Sequence, residues 1–282
     1  MQSLVSKKRG CELLSISRTG YYRWLRHPKC EKPDVLGQKI KRTFTASRGT
    51  YGTRRIKAAL KNEGLTSSRS TIAKKMKQYG LVARARRKTR MTTNSNHRLP
   101  VAPNLLNQDF TVDKPNQVWV TDISYFQTTQ GWMYLAVVLD LFNRQIVGWS
   151  LDVRMNKEWI MDALMKAYEI RKLEAGRICH SDRGSQYCSH EYQKLLKDYN
   201  IRCSMSRKAQ CLDNACAETF FHSMKVEWFY GKPLQSKYFT QKSIAEYIEV
   251  FYNRQRLHST LGYLPPCQFE ANYHFSRFHL SA

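Results

Sequence analysis

Acidic residues are scarce in this chain: 22 Asp and Glu stand against 47 Lys and Arg, leaving a net charge of +25 over 282 residues. A surplus of that size draws a protein toward polyanions, and it makes nucleic acid the first partner to consider. Long apolar runs are also missing. No stretch approaches the roughly 18 residues that a membrane-spanning helix needs, and Lys7, Lys8 and Arg9 are not followed by the apolar core of a secretory signal. The reading is a cytoplasmic protein without a membrane partner. Close cysteine pairs are absent too, because the eight cysteines, at 11, 30, 179, 188, 203, 211, 216 and 267, include no Cys-x-x-Cys. That spacing excludes a zinc finger, predicts no zinc, and reads as reduced thiols. Nor does any apolar heptad persist over three or four repeats, so a leucine zipper is excluded.

The charge that is present is concentrated. Residues 1–114 hold 27 Lys/Arg and 6 Asp/Glu, a net +21, which leaves +4 for residues 115–282. An isolated basic run is usually a solvated face. An excess this localised predicts a DNA-binding front end joined to a nearly neutral body.

Within the front end, Thr53 to Leu81 reads as two helices, with Ile56 and Leu60 on one face and Ile72, Met76 and Tyr79 on the other helix's inner face. Asn62-Glu63-Gly64 separates them, and Ser67 or Ser68 is placed to cap the second. The outer face of that second helix carries Arg69, Lys74, Lys75 and Lys77, while Arg54 and Arg55 open the first. This is a helix-turn-helix pattern, in which the second helix enters the major groove and its flanks hold phosphates; core packing or protein contact is the plainer alternative. Cys11 to Arg26 is a shorter candidate of the same kind. Arg86 and Arg87 then open a basic, proline-containing linker that either tracks a DNA backbone or is simply mobile.

From Val118 the pattern becomes that of strands. Val118–Phe126 and Met133–Asp140 are apolar, β-branched or aromatic runs around a hairpin signal at Gln127–Gly131, and Gln145–Leu151 continues the meander. Helix at 157–172, strand at 178–181, helix at 191–199 and strand at 201–205 follow. The fold class is therefore α/β: a mixed five-stranded sheet with helices in the order of a ribonuclease-H-like domain, preceded by small all-α helix-turn-helix modules. The expected divisions are 1–45, an N-terminal helical module; 46–92, a basic helix-turn-helix; 93–116, a linker; 117–275, the catalytic domain; and 276–282, a tail.

Three carboxylates fall where that order can gather them. Asp122 interrupts the apolar strand Trp119-Val120-Thr121-Asp122-Ile123, at a desolvation cost unless metal or solvent meets it. An aspartate at a sheet edge facing water is the plainer reading. Asp182 lies where a strand empties into the turn Arg183-Gly184-Ser185, and taken alone it is equally a turn former. Glu218 sits near the start of a later helix that Asp213 or Asn214 is placed to cap. Lys225, seven residues on, returns to the same face and reads either as a phosphate ligand or as an exposed lysine. Carboxylates are the hard oxygen ligands with which paired Mg²⁺ ions cleave phosphodiesters.

Here the sequence resembles a known family. Fifty-nine residues separate Asp122 from Asp182, and 35 separate Asp182 from Glu218. The motifs Trp119-x-x-Asp122-Ile123, His180-Ser181-Asp182-Arg183-Gly184 and Asp213-Asn214-Ala215-x-x-Glu218-x-Phe220-Phe221-x-x-x-Lys225 resemble those of DDE transposases and retroviral integrases. The likeness is greatest to the downstream-frame (OrfB-type) protein of two-frame bacterial insertion sequences. Gly49-x-Tyr51-Gly52-x-Arg54-Arg55 and Tyr252-Asn253-x-x-Arg256-x-His258 fit as well. The resemblance implies Asp122, Asp182 and Glu218 as ligands of Mg²⁺, with Mn²⁺ able to substitute. It implies cleavage at element ends by water and strand transfer by the freed 3′-hydroxyl. It also implies double-stranded DNA as partner, contacted by Lys225, Arg183 and the basic residues named above, a homo-oligomer on DNA, and an upstream-frame partner or fusion.

The sequence is open to three other readings. Tyr252, Arg254, Arg256 and His258 cluster as in a tyrosine recombinase, although that leaves the carboxylates unexplained. A non-catalytic DNA-binding regulator would need only the front end, and a nuclease of the same fold would cleave without joining.

Overall fold

A computed structural model describes residues 6–26, 33–84, 99–154, 156–171, 176–208 and 210–280, apart from the side chains of residues 211 and 280. Its centre is the sheet. Strands β1 (Val118–Thr128), β2 (Gly131–Asp140) and β3 (Ile146–Asp152) run antiparallel. The first hairpin closes where Thr128 pairs with Gly131, whose φ of 102° a side chain would resist. Strands β4 (Ile178–Ser181) and β5 (Arg202–Met205) add in parallel on the other side of β1, giving the order β3-β2-β1-β4-β5. The mixed five-stranded sheet is the one the element order predicts.

Alternation along the strands makes two apolar faces. Trp119, Ala136 and Val138 face helices α6 (Glu158–Arg171) and α7 (His190–Asp198). Val120, Phe126, Leu135 and Val137 face α8 (Ala215–Met224) and α9 (Lys237–Ala245). Both α8 and α9 run on into a π-helical stretch, Lys225–Phe229 and Glu246–Tyr252, before α10 (Pro266–Leu280) closes the chain. The expected tail from 276 is thus helical as far as it is described.

Helix α6 lies unusually close to β3. A Cβ on Gly148 would stand 2.3 Å from the Ala163 carbonyl oxygen and 2.6 Å from the Ala167 Cβ. Backbone cannot yield as a flexible side chain does, so Gly148→Ala should destabilise by about 3 kcal/mol, the upper part of the overpacking range. A denaturant midpoint unchanged from wild type would show that α6 can shift without cost.

The front end departs from the predicted divisions. α1 (Lys7–Leu13) and α2 (Arg18–Arg26) form a helix pair that buries only Cys11 and leaves Leu13, Leu14 and Trp24 exposed. α3 (Val35–Ala46), expected to belong with them, instead packs on α4 (Thr53–Asn62) and α5 (Arg69–Gln78) because its Ile40 completes their core of Ile56, Leu60, Ile72 and Met76. Ser68 caps α5 by accepting from Thr71 N, and Gly64 makes the break at φ 77°. Leu257, from beyond α9, enters the same core, which ties the three-helix module to the sheet domain.

The segment read as a linker is also docked, from residue 99 onward. Pro103 O accepts from Met205 N at 3.3 Å, Leu105 N donates to Ser204 Oγ at 2.9 Å, and Leu106 is buried, so this segment covers the β5 edge. No helix among the described residues is long and apolar enough to cross a membrane.

Candidate active site

Strand β1 pairs with β2 from Trp119 to Thr128 but with β4 only over Val118–Val120, the last pair being Val120 with His180. Beyond it the two parallel strands part. Asp122 and Asp182 each lie two residues past that pair, so the same register carries both carboxylates to the same side at the open carboxyl end. Glu218 comes from α8, which packs by Ala217, Phe220, Phe221 and Met224 against the face bearing Val120. That packing leaves Glu218 exposed one residue from the buried seam.

The carboxylates sense one another. Burial, then the charge of Asp182, then that of Glu218 push Asp122 well above the usual carboxylate range, against a hydrogen bond from Ile123 N at 2.8 Å and the Lys225 ammonium. Burial and Asp182 also raise Glu218. Lys225 is pushed down by burial and supported by Asp122. Asp182 is held by Gly184 N at 2.9 Å. A Cβ at 184 would come within 3.1 Å of that same Asp182 oxygen, so the turn has room only for glycine without crowding the carboxylate.

Beneath the site Tyr187 is fully buried, its hydroxyl 3.2 Å from Thr121 Oγ1. Asn214 donates to Thr121 O at 3.3 Å, and its own buried Oδ1 has no hydrogen-bond partner among the described residues. Neither Asp213 nor Asn214 caps α8 as expected. Asp213 is instead wholly buried, accepting from Asn104 at 2.9 Å, Gln108 at 2.8 Å and Arg207 N at 2.8 Å, and so fastens the docked segment to the loop before α8.

Among the described residues no three His, Cys, Asp or Glu side chains close tightly enough to grip an ion as they stand. The donor chemistry fits a hard divalent cation nonetheless: the charge of Asp182 raises both Asp122 and Glu218, and that of Glu218 raises Asp122 further, the electrostatic state that such a cation relieves. It follows that Asp182→Asn should stabilise the metal-free protein by about 1 kcal/mol, roughly 2–4 °C in melting temperature. Mg²⁺ should raise the melting temperature of wild type more than that of the variant. If the variant melts lower in chelator and responds to Mg²⁺ as wild type does, Asp182 is a structural turn residue.

Comparison with known proteins bears on this arrangement. Residues 112–211 and 218–273 match the integrase core domain and residues 31–89 an HTH-like domain. The chain is 42% identical over 274 residues to the transposase InsF of insertion sequence IS3A from Escherichia coli K12, covering 95% of each protein. It is also 42% identical over 267 residues to a 31 kDa protein of insertion element IS600 from Shigella sonnei, covering 94% of this chain and 98% of that one. The chain belongs to the IS3 transposase family. Its sheet domain is accordingly an integrase core of ribonuclease-H-like fold. Among solved structures, the simian T-cell lymphotropic virus intasome matches 76% of the chain and 70% of its own at TM-score 0.47 and 16% identity. The HTLV-2 integrase catalytic core in complex with magnesium matches 56% and 97% at TM-score 0.41 and 16% identity.

In this family member the basic residues expected on DNA divide into two groups. Arg54, Arg69 and Lys74 are exposed on α4 and α5. Lys75 is engaged within the module, 2.6 Å from Asp34, which is held at about 2 by that lysine and by Gly37 N. Arg55 is half-buried and points across the module boundary to Glu227 at 3.5 Å. Arg183 donates through Nε to Ser206 O at 2.5 Å, bracing the loop that carries Asp182. Arg86 and Arg87 lie outside the described residues.

The C-terminal tyrosine, arginine and histidine cluster is part of the fold. Tyr252 is 2% exposed and pushed up to about 12 by burial, and Arg256, 3% exposed, is bound by both Glu227 oxygens at 2.7 Å. A nucleophilic tyrosine needs access that Tyr252 does not have.

Proposed function

We propose that this chain cleaves DNA at insertion-sequence ends and transfers the freed 3′-hydroxyl into DNA, with Asp122, Asp182 and Glu218 as the metal ligands of a DDE-type polynucleotidyl transferase. The observation that carries the reading is the register that sets Asp122 and Asp182 side by side where β1 and β4 part, under a helix that brings in Glu218. Mg²⁺, or Mn²⁺ in its place, held by these carboxylates would supply an activated attacking oxygen and a stabilised leaving oxygen.

The remaining steps fall to the chain's own groups. Lys225, beside Asp122, offers its ammonium to the phosphate being cut. The exposed cations of α4 and α5 hold the flanking duplex through its phosphates, and the contact of that module with the core sets the distance between grip and cut. Action as a homo-oligomer on two element ends, and with an upstream-frame partner or as a fusion, belongs to the same reading.

The test is to incubate the full chain, alone and fused to its upstream frame, with labelled element-end duplex and Mg²⁺, then to resolve the products. Nicked and joined strands support the proposal. Nicks without joints make the protein a nuclease, and binding without either makes it a regulator.

A further inference from the structure

The first hairpin carries an aromatic feature that the cleavage chemistry does not use. Trp132 is 46% exposed, and its ring meets that of Tyr125 edge to face at 5.3 Å and 79°. The Lys225 ammonium sits 5.0 Å from the centre of the Tyr125 ring, and the same ammonium supports Asp122. Carboxylate, ammonium, phenol and indole thus form a continuous series leading out of the active site along the β1 edge that β4 leaves unpaired.

The series continues onto a basic surface. The hairpin tip is tied to the start of α9, Thr129 N donating to Gln235 O and Lys237 N to Gln130 Oε1, both at 2.9 Å. There Tyr238 is 58% exposed with the Lys242 ammonium 4.5 Å from its ring centre. Residues 123–139 and 228–245 contain no Asp or Glu, while the second stretch carries Lys232, Lys237 and Lys242. Exposed rings alternating with cations, with no acid among them, are the signature of a surface for single-stranded nucleic acid: cations track the phosphates and rings stack the bases.

We infer that Trp132, with Tyr125 behind it, is a stacking site for an unpaired nucleotide of the DNA strand whose phosphate Lys225 holds. An edge-to-face contact covers the face of at most one of the two rings, so a π-face remains for a base. A base inside the duplex cannot reach it, because its faces are already stacked on neighbours. Extruding the nucleotide costs pairing and stacking energy, which stacking on the indole offsets. The inference rests on the strand-transferase reading and assigns to it how the strand end is opened.

The experiment compares wild type, Trp132→Ala, Trp132→Phe and Phe275→Ala. Phe275, 67% exposed on α10, is the aromatic control. Each is assayed on a fully paired end and on an end with the terminal pairs mismatched. Binding of a short single strand with 2-aminopurine at the terminal position is followed in chelator by fluorescence. Trp132→Ala should cut the paired end about ten- to a hundredfold more slowly, the mismatched end with a much smaller loss, and should lose the 2-aminopurine quenching that wild type shows. Trp132→Phe should restore most of both, and Phe275→Ala should match wild type. Equal losses on the two ends, or quenching that survives in Trp132→Ala, overturns the stacking site. Because quenching is read without catalysis, a wild type that fails to cut counts against the strand-transferase reading and leaves the stacking result to stand or fall by itself.

Discussion

Asp122→Asn, Asp182→Asn and Glu218→Gln are each expected to lower nicking and joining by about a thousandfold or more while DNA binding persists. Each change keeps the side chain's shape and removes the charge that a divalent cation requires. Lewis-acid stabilisation of a phosphoryl transition state is worth several kcal/mol, and each 1.4 kcal/mol is about tenfold in rate. Binding should survive because the exposed cations of α4 and α5 are untouched and the core loses only negative charge. Asp122→Asn is the most informative of the three, since Asp122 is the group on which both other carboxylates act. The assay is single-turnover cleavage of labelled end DNA beside a filter-binding titration at fixed salt. Residual cleavage above a tenth of wild type at any position would remove that residue from the metal site. Lys225→Ala should reduce the rate more than the affinity; equal losses would make it an ordinary binding residue.

That these three carboxylates gather at one end of the sheet was legible from the strand that Asp122 interrupts and from the order of the elements. A charge within Trp119-Val120-Thr121-Asp122-Ile123 has no reason to be in a buried strand unless something meets it, and the order of strands and helices brings Asp182 and Glu218 to the same end of the sheet. The sheet itself was legible for a related reason. Strand periodicity is local, and β-branched and aromatic runs at 118–126, 133–140 and 145–151 need no distant partner to be recognised.

What sequence alone hid depends on contacts between distant residues. Arg55 and Lys75 look like surface cations, yet each faces a carboxylate far along the chain, Glu227 and Asp34. Asp213 has the spacing of a helix cap, but the docking of Asn104 and Gln108 gives it better donors than the α8 backbone does. Residues 99–116 look like a linker because their composition is polar and proline-containing, while their role, covering the β5 edge, is set by the sheet they lie on. The same blindness applies to Glu227. Nine residues after Glu218 on the same run of helix, it reads as one more solvated glutamate, and the α8 helix must pass into its π turn before Tyr247, Arg256 and Arg55 can surround it.

Glu227→Ala is expected to cost about 3–5 kcal/mol of stability, a large share of what holds any domain folded. Glu227 accepts from Arg256 Nε and Nη2 at 2.7 Å each and from the Tyr247 hydroxyl at 3.0 Å, with Arg55 at 3.5 Å and Arg84 on its carbonyl oxygen at 2.8 Å. Burial alone would raise its pKa, yet the charge and hydrogen bonds of Arg256, with Arg55, hold it below the usual glutamate range. The geometry therefore outweighs the desolvation. Removing the carboxylate leaves Arg256, 3% exposed, charged and without its counter-ion, and it also cuts the connection from the three-helix module through Arg55 to the helix that carries Glu218. An exposed pair such as Lys157 with Glu191 makes the contrast, because water screens it and Glu191→Ala should leave the urea midpoint almost unchanged. The double change Glu227→Leu with Arg256→Met removes both charges together and should recover most of the loss, since a buried ion pair costs more to break than to replace. Urea midpoints of the four proteins, together with the rate at which protease separates residues 33–84 from the core, would measure both effects. A Glu227→Ala protein as stable as Glu191→Ala, with the module still protected, would mean that Arg256 finds water or another partner and that the hub does not join the two modules.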